Sequence, residues 1–322
     1  MLTFHHRVGD KLTPTVVTGS AAESMPATVW IDMLEPTPEE AASVERILKI
    51  DVPTREEMQK IEESSRLYIE DGALFMTMPV VNKAATEPET AAVTFILAPT
   101  ALVTLRYVDP QPFIRFARRI LREPSLAASP EHALIGLLEQ VVERLDDILE
   151  GATADIDAIS ADIFRRPANA PRGGDTLQEI LTRVGRAGDL ASKARASVLG
   201  LNRLLLFLGS HPMCSPDGKG RIETLIRDVH SLADHDSFLV DKIGFLQDAT
   251  LGMIDIEQSN IIKLFTVAAV AFMPPTLVAS IYGMNFKHMP ELDWPIGYPL
   301  ALLLMVLSAI LPFVYFRRRG WL

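Results

Sequence analysis

Two stretches near the end of the chain depart from the mixed apolar and polar pattern that precedes them. Residues 261–282 read IIKLFTVAAVAFMPPTLVASIY, with Lys263 as the only charge, and residues 296–316 read IGYPLALLLMVLSAILPFVYF, with none. Each is roughly 21 residues long, enough to cross a bilayer core of about 30 Å at ~1.5 Å per residue. Buried helices of globular domains seldom run so far without charge, so the pattern predicts two membrane spans. Arg317, Arg318 and Arg319 follow the second span, and Lys263 opens the first. Cytoplasmic flanks collect Lys and Arg, which places both outer ends in the cytoplasm and the connector 283–295 outside. Trp294, Tyr298, Tyr315 and Trp321 fall near the span ends, where aromatic belts form.

Upstream, the period changes twice. Val29–Leu34 (VWIDML) is short, apolar and β-rich, and Glu39–Leu48 reads as a helix after Pro36 and Pro38. Leu67–Pro79 and Ala91–Tyr107 look like strands, the latter a pair joined through Ala98-Pro99-Thr100. From Pro130 to Leu208 apolar residues recur every three or four positions. Pro167–Gly174 breaks that run, a second helix resumes at Thr176, and His211–Gly220 reads as a loop. From Ile222 nothing interrupts a helix before Pro274. About fifty residues at ~1.5 Å each would reach roughly 75 Å. The expected order is an α/β cytoplasmic domain (1–125), an antiparallel helical pair (126–220), a stalk helix continuing into the first span (221–282), an outer loop (283–295), a second span (296–316) and a basic tail (317–322).

Composition sharpens this picture in three ways. Hydrophobic residues make up 48% and mean hydropathy is +0.19, an excess that the two spans localise. The net charge of -10 and pI of about 5.2 argue against a nucleic-acid partner, which needs a basic face, and suit a domain that attracts cations. Cys214 is the only cysteine, which excludes an intrachain disulfide and a multi-cysteine zinc site. Met1–Lys11 contains His5, His6, Arg7, Asp10 and Lys11 and no long apolar run, so no signal peptide is expected and the N-terminal part stays in the cytoplasm.

The connector opens with Tyr282-Gly283-Met284-Asn285-Phe286 and continues His288-Met289-Pro290-Glu291-Leu292. Phe272-Met273-Pro274-Pro275-Thr276 precedes it, and the chain closes on Tyr315-Phe316-Arg317-Arg318-Arg319-Gly320-Trp321-Leu322. These motifs resemble the CorA family of magnesium channels, whose signature is YGMNF followed closely by MPEL. The resemblance is strong over 261–322, and VWIDMLEP looks like the start of the family's cytoplasmic domain. It implies a funnel-shaped homopentamer that passes magnesium, with cobalt and nickel as further cargo. It also implies a closed state favoured by cytoplasmic magnesium held on acidic residues between subunits. The implied setting is the inner membrane, with lipid around the spans and no cofactor beyond the transported ion.

The residues make chemical sense in that role. Magnesium keeps its water shell reluctantly exchanged, so a selective mouth should accept hydrogen bonds from coordinated water. Asn285 offers a neutral carbonyl acceptor, and several copies about an axis would form a ring of them. Gly283 allows φ > 0 and close chain approach at the turn out of the helix, and Met284 reads as a packing residue. Two spans cannot enclose a water-filled path, so a pore needs several chains. Ser280, Thr276, Met273, Ala269, Thr266, Ile262 and Ser259 fall on one helical face below Asn285, and Asp255 and Asp248 continue it. Small hydroxyls suit a hydrated ion, and Met273 and Ile262 suit a constriction that gates by dewetting; the same stripe also suits a helix-packing face. Candidate regulatory acids are Asp228, Asp234 and Asp236, with Glu87 and Glu89 as partners from the N-terminal domain, although ordinary surface charge explains each of them too. The membrane potential can drive entry at about 4.6 kcal/mol per 100 mV for a divalent ion. No coupling motif competes: Asp217-Gly218-Lys219-Gly220 lacks the phosphate-loop spacing and hydroxyl. No nucleophile–base or HExxH pattern points to an enzyme. The rivals are the related zinc-transporting branch, which carries Gly-Ile-Asn where this chain has Gly283-Met284-Asn285, and a membrane-anchored scaffold.

Overall fold

In the computed structural model, residues 1–17, 27–60, 66–164, 176–285, 289–290 and 294–319 are described. They fall into two units, Met1–Gln247 and Asp248–Leu322.

The strands of the first unit are β1 (Leu2–Val8), β2 (Lys11–Val17), β3 (Thr28–Leu34), β4 (Leu67–Glu70), β5 (Ala73–Asn82), β6 (Glu89–Leu97) and β7 (Leu102–Arg106). They form one sheet in the order β2-β1-β3-β7-β6-β5-β4, antiparallel except for the β3–β7 pair. Neighbouring residues along a strand point to opposite faces. Trp30, Leu74, Met76, Met78 and Phe95 therefore enter one core, and Ile31, Met33, Phe75 and Ile96 enter another. Burial on both faces explains why β5 and β6 read as nearly continuous apolar runs.

Helices cover both faces. Helix α1 (Pro38–Leu48) begins with a capping box between Thr37 and Glu40, and α2 is Arg55–Lys60. Val44 and Met58 pack on the Phe75 face. Helix α3 (Gln111–Arg122) sends Phe113, Phe116 and Ile120 to the opposite face. Two hairpins differ from the sequence expectation. Leu67–Pro79 is two strands, because Asp71 and Gly72 both take positive φ (49° and 76°) and turn the chain back. The His5-His6 segment lies in β1, where the His5 ring stacks on Trp30 at 4.3 Å.

Helices α4 (Pro130–Phe164), α5 (Leu177–Ser210) and α6 (Pro216–Tyr282) follow. The sequence placed the α6 start near Ile222; Ser215 moves it earlier, since its hydroxyl accepts from the Gly218 amide at 3.1 Å and caps the helix. Glu131 in the first turn of α4 accepts from the Ser215 amide at 2.8 Å and hydroxyl at 3.0 Å. Thr153 on α4 meets His235 on α6 at 2.9 Å, and Arg221 reaches Glu139 at 2.7 Å, so α4 and α6 run parallel. Gly209 packs against Ile222 and Gly188 against Ile243, so α5 runs antiparallel to α6. The α6 core residues are Ile222, Leu225, Val229, Leu232, Asp236, Leu239, Ile243 and Leu246, a three-and-four repeat with one carboxylate in it.

The second unit holds the remainder of α6 and α7 (Gly297–Arg318). Pro274 and Pro275 lie inside α6, which continues past them to Tyr282. No residue of α7 is buried.

Candidate ion path and metal-binding residues

The candidate path lies on α6. Ser259, Ile262, Thr266, Ala269, Met273, Thr276 and Ser280 are all exposed, as are Asp248 and Asp255. Met273 is 72% exposed, as much as any large apolar side chain on the helix. The Thr266 hydroxyl donates to the Ile262 carbonyl and the Thr276 hydroxyl to the Phe272 carbonyl, both at 2.8 Å. With the proton committed to the backbone, each hydroxyl oxygen turns only acceptor lone pairs outward. That suits water molecules held on a cation, whose hydrogens point away from the metal.

At the top of the helix the Gly283 amide donates to Ala279 O at 2.9 Å and the Met284 amide to Ile281 O at 3.2 Å. Gly283 does not take positive φ, contrary to the reason the sequence suggested for it. A Cβ there would instead sit 3.1 Å from the Ala279 carbonyl oxygen, so the constraint is close approach of the backbone. Met284 is 46% exposed and Asn285 is exposed; within one chain, neither packs. Phe286, His288, Glu291, Leu292, Gly320, Trp321 and Leu322 of the motifs lie outside the described residues.

The five regulatory candidates do not converge within a chain. Asp228 lines an open groove of about 510 Å³ with Glu139, Asp217 and Arg221, where Arg221 is already paired to Glu139. Asp234 is exposed on the outer face of α6. Glu87 lines a cavity of about 630 Å³ between the β5–β6 loop, α4 and α5, beside Arg183, Arg186 and Lys193. Glu89 accepts from Lys83 at 3.1 Å and Asn82 at 3.0 Å, and these contacts hold its carboxyl below the usual range. Asp236 departs from the alternative of ordinary surface charge. Its side chain is 1% exposed in the helix core, neither oxygen has a hydrogen-bond partner, and the nearest cation is Arg195 at 3.7 Å. Burial pushes its carboxyl upward in pKa, against the pull of Arg195 and His235. Among the described residues no three His, Cys, Asp or Glu side chains group to hold a metal. Cys214 is buried, and burial beside Glu131 pushes its thiol up to about 12, far from a reactive thiolate.

One feature of α6 escaped the sequence reading. Asp234, Asp241, Asp248 and Asp255 recur every seven residues, and all four are exposed. Seven residues are nearly two helical turns, so the carboxylates share one face. The seven-residue spacing of these aspartates is the signal in the sequence that marks the face.

A sheet domain on a helical bundle, a helix of 67 residues that runs on into an apolar segment, and a second apolar helix, both long and apolar enough to cross a membrane, fit an integral membrane protein with a two-helix hairpin. The family model described as CorA-like Mg2+ transporter protein matches residues 26–318. The chain belongs to that family. It is 33% identical over 302 residues to the magnesium transport protein CorA of Pectobacterium atrosepticum, covering 94% of each chain. It is 34% identical over 295 residues to that of Escherichia coli K12, covering 91% of this chain and 92% of the other. The solved CorA magnesium transporter of Methanocaldococcus jannaschii matches with a TM-score of 0.76 at 18% identity, over 100% of this chain and 98% of that one.

Proposed function

We propose that this protein conducts magnesium inward across the inner membrane, driven by the membrane potential, through a path shared by several copies of the chain. Asn285, with Gly283 and Met284, forms the outer selectivity ring. Ser280, Thr276, Met273, Ala269, Thr266, Ile262 and Ser259 line the path, and Asp255 and Asp248 draw the ion onward. Cobalt and nickel are further cargo, the assembly is a homopentamer surrounded by lipid, and both termini are cytoplasmic. The observation that carries the reading is the end of α6: an exposed asparagine three residues past a helix on which the exposed Thr266 and Thr276 hydroxyls donate to their own backbone and keep acceptor lone pairs free. Self-association is supported by the exposure of that face, because two spans alone cannot enclose water.

Cytoplasmic magnesium closes the path. Among the described residues no three acidic side chains group to hold a metal, so Asp228 or Asp234 of one copy would be completed by Glu87 or Glu89 of another. A divalent ion bridging them binds the closed form better and shifts the population toward it.

The test is magnesium-indicator flux into proteoliposomes of the full chain under an inside-negative potential, beside Asn285→Ala. Fast influx lost in the variant is the expected result. Zinc influx without magnesium influx would support the Gly-Ile-Asn branch, and no flux of either ion would support a scaffold.

A further inference from the structure

The last turn of α7 carries Arg317 and Arg318, with Arg319 at its C-cap, and all three are exposed. Residues 294–319 contain no acid. Among the described residues Arg317 and Arg318 make no ion pair, while the Arg319 guanidinium lies over the Tyr315 ring at 5.5 Å. Among the described residues no acid neutralises these three positive charges, in a chain whose net charge is -10. Successive helical residues are about 100° apart, so the three guanidiniums sweep roughly 200° of the helix circumference. Whichever side of α7 meets another helix, at least one arginine faces outward. Guanidinium is a planar donor fork matched to phosphate oxygens, and the negative end of the helix dipole holds the cations in place. The Tyr315 ring, 55% exposed, sits at the same end of the apolar helix, and aromatic rings at span ends favour the headgroup level.

We propose that Arg317, Arg318 and Arg319 form a binding site for the headgroup of an anionic phospholipid. This rests on the membrane-hairpin part of the proposed function but not on the transported ion. Only the phosphodiester and its net charge are recognised, so phosphatidylglycerol should bind and zwitterionic phosphatidylcholine should not compete.

The full-length protein is reconstituted in phosphatidylcholine vesicles with spin-labelled phosphatidylglycerol or spin-labelled phosphatidylcholine, and the motionally restricted fraction is read by electron paramagnetic resonance. Each engaged arginine should favour the anionic lipid by about fivefold, an effect weakened by sodium chloride. The preference should fall to near unity in R317Q/R318Q/R319Q and survive in part in R317K/R318K/R319K. If the glutamine variant fails to reconstitute, the wild-type preference and its salt response carry the test. A wild-type preference near unity overturns the proposal, as does a preference untouched by the glutamines. Displacement by inorganic phosphate beyond the effect of sodium chloride at equal ionic strength overturns it too, because the site would then read free phosphate. Magnesium flux is scored separately: loss of flux with the lipid preference intact sinks the channel reading and leaves this one standing.

Discussion

Acidification should unfold the sheet domain through His5. Its ring is 4% exposed, stacked within 10° of the Trp30 plane, and its Nδ1 has no hydrogen-bond partner. Burial lowers its pKa from 6.5 to about 4; Asp32 partly opposes the shift and His6 adds to it. The folded state therefore binds the proton less well than the unfolded chain. Stability is complete above about pH 6.5 and is lost as pH falls from there through about 4, the reverse of a histidine that gains an anionic partner. The full shift corresponds to about 3 kcal/mol, of which about 2 kcal/mol is already lost near pH 5. Carboxylate contributions, that of Asp236 included, are common to wild type and a His5 variant, so their difference isolates the imidazole. The assay is urea unfolding at a series of pH values, followed by Trp30 fluorescence with phenylalanine at Trp294 and Trp321. His5→Phe keeps the stack on Trp30 and removes the titration, so its midpoint should be nearly flat between about pH 6.5 and 5. An equal slope in wild type and His5→Phe would refute the reasoning.

Other substitutions test the packing. Asp236→Leu completes the apolar repeat of α6 and removes a buried carboxylate without hydrogen bonds, so it should raise stability by about 1–3 kcal/mol in urea unfolding. Arg106→Met should cost about 3–5 kcal/mol, because Asp32, which Arg106 meets at 2.7 Å and 3.0 Å, is left buried and charged. Most of that loss should return in the double variant with Asp32→Leu, leaving the cost to the Trp30–Thr104–Asp32 hydrogen-bond chain. Gly200→Ala sets a methyl 2.9 Å from Pro79 Cδ and 3.3 Å from Met78 Cβ; about 1–3 kcal/mol of overpacking should appear as a lower melting temperature.

The helical part of the fold was legible because its signals are local. Thr176 and Glu179 form the capping box that starts α5, and the three-and-four repeat of α4 and α6 survives without tertiary information. The first hairpin was less so. His5, His6 and Arg7 mask a strand whose apolar alternation is only Leu2 and Phe4, and His5 is buried because Trp30 lies opposite it, a fact of pairing and not of pattern. Helix α3 could have been found from Phe113, Phe116 and Ile120. The Asp32–Arg106 pair could not, since 74 residues separate the partners. The motif at the end of α6 was readable because it is contiguous. The fate of Asp236 was not, since Asp234 and Asp236 look alike in sequence and only the helix phase sends one outward and the other into the core.

That difference in phase also bears on which helix lines a path. Helix α7 is apolar on every side, with Ser308 bonded back to Met305 O at 2.8 Å, so lipid can surround it at little cost. The hydroxyls of Thr266 and Thr276 are likewise satisfied by their own backbone, so their presence alone does not require water. What separates α6 from α7 are the polar groups that flank its apolar segment. Asp248 and Asp255 precede the apolar segment of α6 on the helical face that carries Thr266, Asn285 follows the helix, and all three are exposed. On the proposed function, a helix face with carboxylates before its apolar segment and hydroxyls within it suits the wall of an ion path better than the apolar α7 does.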